Sequence, residues 1–241
     1  MAVLNLNTSG VVAEPRAAAT VILLRDGPSE PEVLLLLRNK ALEFAGGLWV
    51  FPGGGIDDGD IDAAGGDTVE ASRRAALREA HEESALAVDD QSMELLGYWT
   101  TPVVEKRRFH TAFFVARVLG SDAVTIDGGE IHDSQWITLS DAIKRHQSVE
   151  LGLLPPTFLT LMQLVGHGDV SSTLEAVRNA PLIDVMPVVA LIDKSPLIML
   201  PGDAGYDSGD ALTEGPRNRC IRGADCWEYV FSEGDRRYDR L

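Results

Sequence analysis

The residues best suited to chemistry are Arg78-Glu79-Ala80-His81-Glu82-Glu83. On a helix turning about 100° per residue, Glu82 lies about 60° to one side of Glu79 and Glu83 about 40° to the other. Three carboxylates then share one face across adjacent turns. Two such charges about 5 Å apart repel by roughly 3 kcal/mol at an effective dielectric near 20. Water and salt dissipate that on an open surface. In a cleft the cluster calls for a cation, and hard divalent ions such as Mg²⁺ or Mn²⁺ suit oxygen donors. The alternative is an ordinary solvated helix face.

The elements around this run give it context. Leu48 to Phe51 reads as a short strand halted by Pro52-Gly53-Gly54-Gly55. Glycines let a backbone approach a metal or phosphate closely, so Gly53 and Gly54 are candidates for substrate binding. Ile56 to Gly66 carries Asp57, Asp58, Asp60 and Asp62 with few side chains that could pack, and reads as a loop. Asp67 and Glu70 form a capping-box pattern. No Gly or Pro interrupts Thr68 to Leu86, so a long helix is expected there.

Strands are expected at 17–24, 33–37, 95–99, 109–118, 131–137, 185–192, 197–200 and 227–231. Shorter helices fit 141–146, the stretch from Pro155 or Pro156 to Gly166, and the stretch from Ser171 or Ser172 to before Pro181. This mixture predicts an α/β or α+β sandwich around a mixed sheet.

The Gly54, Glu70, Arg78, Glu79, Ala80, Glu82, Glu83 and Leu86 series resembles the box of the Nudix hydrolase family, G-x5-E-x7-R-E-U-x-E-E-x-G-U. Leu48 to Gly54 is also similar to that family's entry strand. Two features depart from the box. Fifteen residues rather than five separate Gly54 from Glu70, and Asp60 stands where an uninserted box places its first Glu. Either Glu70 or Asp60 can therefore fill that position. Ala85 replaces the glycine near the helix end, which is expected to alter the helix exit. The lengthened loop resembles a subgroup that includes some coenzyme A diphosphatases.

The resemblance implies an α/β/α sandwich with extra C-terminal helices and strands. It divides the chain into a loose leader (1–16), a hydrolase domain (17–150) and an extension (151–241) packed on the domain or on a partner subunit. It implies hydrolysis of a P–O–P bridge in a small nucleoside diphosphate-linked compound, coenzyme A-like compounds included. Glu82 and Glu83 become the principal ligands for Mg²⁺ or Mn²⁺, with Glu79 a further ligand or base. Arg78 pairs with a carboxylate to hold the box together. Glu130 is either another ligand or base, or a turn carboxylate after Asp127-Gly128-Gly129.

Arg38, Arg107 and Arg108 match phosphate geometry. Arg107 and Arg108 alternate at a strand start, so at most one faces the cleft. Tyr98 and Trp99 can stack on a base, with one of them in the core. His110 and His132 show no partner in the sequence. The inserted loop is expected to act as a lid or specificity element outside the metal site, or as a tolerated surface insertion. A homodimer is expected at the family level. The rival reading is a nucleotide-sensing module that binds without cleaving.

Composition narrows the partners. The chain has 241 residues with 37 acidic against 21 basic side chains, a net charge of -16. That field opposes general nucleic-acid and acidic-membrane binding. No apolar run approaches the roughly 20 residues that span a bilayer, and no basic residue precedes Arg16, so a cytoplasmic setting is expected. Cys220 and Cys226 cannot build a local four-ligand zinc site, since no histidine follows His167. Two idle thiols or one short-loop disulfide are the options.

Overall fold

A computed structural model describes residues 11–42, 45–120, 123–126, 128–223 and 225–232. Residues 1–10 of the expected leader lie outside them. In the rest of it the Ala13 carbonyl accepts from Arg108 at 2.8 Å, and the first strand begins at Arg16, one residue before the expected boundary.

The main sheet is built from β1 (Arg16–Asp26), β2 (Pro31–Arg38), β3 (Trp49–Val50), β4 (Gly53–Gly55), β5 (Glu94–Thr100), β6 (Phe109–Arg117), β7 (Ile131–Thr138) and β8 (Ile183–Val185). Its path runs β3-β2-β1-β6-β5-β8, with β4 added to β1 and β7 to β2. The β1–β6 and β5–β8 pairs are parallel and the others antiparallel. Strand β1 is long enough to pair twice on the same side. Its Ala18–Thr20 stretch holds β4, and its Leu24–Asp26 stretch holds β2. Gly97 sits where β5 bulges, and a side chain there would strike the backbone of Ile183, so β8 can dock only on a glycine.

Alternation along the strands divides the apolar side chains between two layers. Val21, Leu23, Leu34, Leu36 and Phe114 face Ala75, Ala76 and Ala80 of α2 (Thr68–Ser84). Small alanines let this helix lie close to the sheet. Ile22, Leu24, Val33, Leu35, Phe113 and Val115 face the opposite layer, with Phe158, Leu161, Leu174, Ile198 and Trp227. That layer holds α3 (Leu139–Gln147), α4 (Pro155–Leu164) and α5 (Val170–Asn179). It also holds an antiparallel sheet of β9 (Val188–Ile192), β10 (Ser195–Met199), β11 (Arg217–Arg222) and β12 (Trp227–Ser232). The α/β/α reading therefore stands, with a second sheet added to one outer layer.

Several local expectations change. The segment 185–192 is two strands, broken at Met186-Pro187. The glycine stretch after Pro52 is itself a strand, β4. Strand β11 was not expected, because Arg217-Asn218-Arg219 is polar. Its burial is offset by Asp203, which accepts two hydrogen bonds from Arg219 at 2.6 and 2.5 Å and one from the Asn218 amide at 2.9 Å. The 56–66 segment is not an unstructured loop. Helix α1 (Asp58–Ala63) forms there behind an Asp57 capping box.

Both cysteines are free. Cys220 is buried in the core, and burial pushes its thiol up to about 12. Among the described residues no helix is long and apolar enough to cross a membrane.

Candidate active site

Strand β4 and helix α2 meet at one end of the main sheet. There, Glu79, Glu82 and Glu83 line a cavity of about 700 Å³ with Thr20, Arg38, Phe51, Gly53, Gly54 and Glu130. Helix α2 starts with the Asp67 side chain accepting the amides of Val69 and Glu70, so the expected cap is present. It ends at Ala85 with φ 57°, left-handed as a glycine would be. The expected change of exit does not occur. Instead the chain carries the roughly 1 kcal/mol that a left-handed alanine costs.

The three glutamates occupy a gradient of burial. Glu82 is exposed, Glu79 is half-buried and Glu83 is buried. Glu83 accepts the Gly53 amide at 3.0 Å. Burial chiefly pushes its carboxyl up to about 7, and the nearby Glu79 adds to this against the Gly53 bond and Arg38. Glu79 is raised too, by burial and by Glu82, although Arg78 pulls the other way. Gly54 lies flat against Glu79, where a β-carbon would collide with the carboxylate. Gly53 therefore spends its amide on Glu83, and Gly54 makes room for Glu79. Both glycines thus bear on the carboxylates.

Arg78 is the hub. It donates to Asp60 at 3.0 Å, to Glu79 at 2.8 Å, to Glu82 at 3.3 Å and to the Gly55 carbonyl at 2.9 Å. Burial alone would raise the Asp60 carboxyl, but its bonds from Arg78 and the Asp57 amide outweigh this and hold it below the ordinary range. Glu70 instead pairs with Arg74 at 2.9 Å. The first box position is thus filled structurally by Asp60. The inserted segment is anchored to the carboxylate helix, contrary to a freely moving lid.

The arginines separate. Arg38 and Arg107 line the cavity. Arg38 is paired with Glu130 at 3.0 Å, while its buried Nε has no hydrogen-bond partner among the described residues. Arg108 is buried and donates to the Thr101 and Ala13 carbonyls at 3.0 and 2.8 Å, so it is a structural arginine and not a substrate contact. Of the two aromatic candidates, Trp99 lines the cavity. Tyr98 stacks on His110 with ring centroids 5.0 Å apart, and His110 also meets Thr100 at 2.8 Å, so this histidine is partnered after all.

Sequence reasoning passed over Glu105, a buried carboxylate lining the cavity, and the apolar residues Leu154, Pro155, Pro156, Pro187, Ile198 and Trp227 on its other wall. Their distance along the chain from the box left no signal to connect them.

The donor set fits a hard divalent cation. Three carboxylates line one wall, and burial makes two of them hold protons more tightly than usual. In the described residues Glu79 and Glu82 lean on Arg78, and no three acidic, histidine or cysteine side chains are gathered as an ion would gather them.

A NUDIX domain model matches residues 14–155, more than half of the chain and the whole box. The chain belongs to the Nudix family. It is 29% identical over 145 residues to the acyl-coenzyme A diphosphatase NUDT19 of Xenopus laevis, covering 57% of this chain and 38% of that protein. It is 29% identical over 113 residues to the human protein of that name, covering 45% and 30%. The chain thus spans well under half the length of the curated relatives it matches. A crystal structure of a NUDIX hydrolase from Alicyclobacillus acidocaldarius superposes with a TM-score of 0.64 at 26% identity, over 71% of this chain and all of that one.

Proposed function

We propose that the protein is a Mg²⁺- or Mn²⁺-dependent diphosphatase cleaving the P–O–P bridge of a nucleoside diphosphate-linked compound, coenzyme A-like compounds included. The observation that carries this reading is Glu83. It is a buried carboxylate, pushed up to about 7, on the wall of a cavity that also holds Glu79, Glu82, Arg38 and Arg107. Family membership and the two diphosphatase relatives support the reaction class.

In the reaction, the oxygen of a water bonds to one phosphorus and the bridging P–O bond breaks. Each half of the substrate leaves carrying its own phosphoryl group from the broken bridge, and the proton of the water is taken up by a carboxylate. A bound divalent cation supplies charge neutralisation and lowers the pKa of the attacking water. Glu82 and Glu83 would hold it, and Glu79 serves as a further ligand or as base. Arg38 and Arg107 bind phosphate oxygens, and the unpaired Nε of Arg38 has a donor to give. Arg78 and Asp60 position the carboxylates. Such a reaction needs placement and charge more than covalent chemistry from the protein.

The rival is a nucleotide-binding module that does not cleave, and the hold of Arg78 on Glu79 and Glu82 favours it. A panel of ADP-ribose, dinucleoside polyphosphates and coenzyme A derivatives, assayed with Mg²⁺ or with EDTA and read by mass spectrometry, separates the two. Metal-dependent formation of the two fragments of a broken P–O–P bridge is expected. Binding with no product from any compound would establish the module and overturn the diphosphatase.

A further inference from the structure

We infer that the chain beyond residue 150 selects the group attached to the diphosphate, and that it selects an aliphatic one, such as the acyl chain of a coenzyme A thioester. The inference rests on the diphosphatase reading and adds to it the class of substrate.

The cavity has two unlike walls. Helix α2, on one face of the main sheet, presents carboxylates. The layer on the opposite face presents Leu154, Pro155, Pro156, Pro187, Ile198 and Trp227. Among the described residues after 150, those lining the cavity carry no charge, and Thr157 supplies their one side-chain hydroxyl. Three of them are prolines, which have no amide to donate. A sugar, a nucleobase edge or a further phosphate placed here would give up hydrogen bonds to water and recover few. An aliphatic chain gains at each buried methylene. The wall is continuous with the carboxylates in one cavity, so a single substrate can touch both.

Leu154 gives an independent indication. It is the N-cap residue of α4 and makes no side-chain cap bond. Ser, Thr, Asp or Asn is favoured at that place, and a capping side chain there would serve the Thr157 amide. The chain forgoes the cap and keeps an apolar side chain on the cavity wall.

The experiment compares acetyl-, butanoyl-, hexanoyl- and octanoyl-coenzyme A with ADP-ribose, all with Mg²⁺, in the parent and in Leu154→Asp. Burial is worth up to about fourfold per methylene, so kcat/KM is expected to rise at least about tenfold from acetyl to octanoyl. ADP-ribose should be the poorer substrate. Leu154→Asp supplies the missing cap, so its melting temperature should equal or exceed that of the parent. It should flatten the series, with the loss in KM rather than kcat. Pro156→Asp, acidic in the first helical turn, gives a second charge on the same wall.

A series that is flat in the parent, or a preference for ADP-ribose, overturns this inference while leaving the diphosphatase standing. A rising series that both folded variants leave intact overturns the assignment to this wall. No turnover of any compound, with or without metal, overturns the diphosphatase and this inference together.

Discussion

Arg78 binds Asp60 across 3.0 Å, whereas Glu70, the other candidate for the first box position, pairs with Arg74. The ten-residue insertion therefore does not loop away from the box. It folds into a helix that returns an acidic residue to the arginine. Asp60→Asn should lower kcat/KM by roughly tenfold and stability by about 1–3 kcal/mol, since a buried charged hydrogen bond is lost. Glu70→Gln should change neither by more than about twofold or 0.5 kcal/mol. Steady-state kinetics and urea melts on both variants check this, and a stronger effect from Glu70→Gln would reverse the assignment.

The carboxylate cluster should make the protein more stable with Mg²⁺ or Mn²⁺ than with EDTA. An ion present at about 100 times its dissociation constant adds about 2.7 kcal/mol. Thermal melts at millimolar Mg²⁺ read the shift directly. Melting curves that coincide with and without metal would count against a metal site.

Glu83→Gln should cut turnover roughly 10² or more, the scale of losing one main electrostatic element. It should leave the metal-free protein at least as stable as the parent near neutral pH. The folded Glu83 carboxyl sits at about 7, above its ordinary value of 4.5. The native state therefore binds more protons than the unfolded state between those values, and metal-free stability falls as pH rises through that window. Denaturant midpoints from pH 4.5 to 7.5 should show this contribution in the parent and lose it in Glu83→Gln.

Arg107 and Arg108 should behave oppositely. Arg107→Ala should raise KM about tenfold for a diphosphate substrate, the cost of about 1.4 kcal/mol of phosphate contact, with little change in melting temperature. Arg108→Ala removes a buried donor to two carbonyls and should cost about 2 kcal/mol of stability. Paired kinetic and melting measurements distinguish the two roles.

His146 is buried, with Nδ1 against the Leu151 carbonyl at 2.9 Å and Nε2 receiving the Trp227 amide at 3.2 Å. Burial chiefly lowers its pKa below 6.5, and Arg222 pushes the same way. The unfolded state then takes up the proton first. The contribution is complete above about pH 6.5 and is lost as pH falls towards the folded value. Protonation also removes the acceptor for Trp227. Hydrogen exchange at the Trp227 amide, corrected for intrinsic rate, should speed up between pH 7.5 and 5.5.

What the sequence made legible was local. Helix α2, with its Asp67 cap and its three glutamates on one face, follows from spacing alone. The apolar runs of β1 and β2 were equally plain. Asp60 was noticed by counting, but only the fold of α1 shows that it reaches Arg78. Strand β11 was hidden because its polar residues are buried against Asp203, a partner sixteen positions from Arg219. Gly53 was read as a place of close backbone approach to a metal or phosphate, and its amide's bond to Glu83, thirty residues further on, was not visible. The helix and strands of the cleft's far wall had local patterns, but nothing in those patterns tied Leu154, Ile198 or Trp227 to the box.

The parallel pairing of β5 with β8 joins Gly97 to Ile183, across most of a domain's length of chain. Contacts of such separation are slow to form, because loop closure must be paid before they stabilise anything. The carboxylate helix and its glycine strand can assemble early from residues close in sequence. Leu154, Ile198 and Trp227 arrive only when the later segments dock. A nascent chain would thus form its carboxylate cluster before the apolar wall of the cleft is in place.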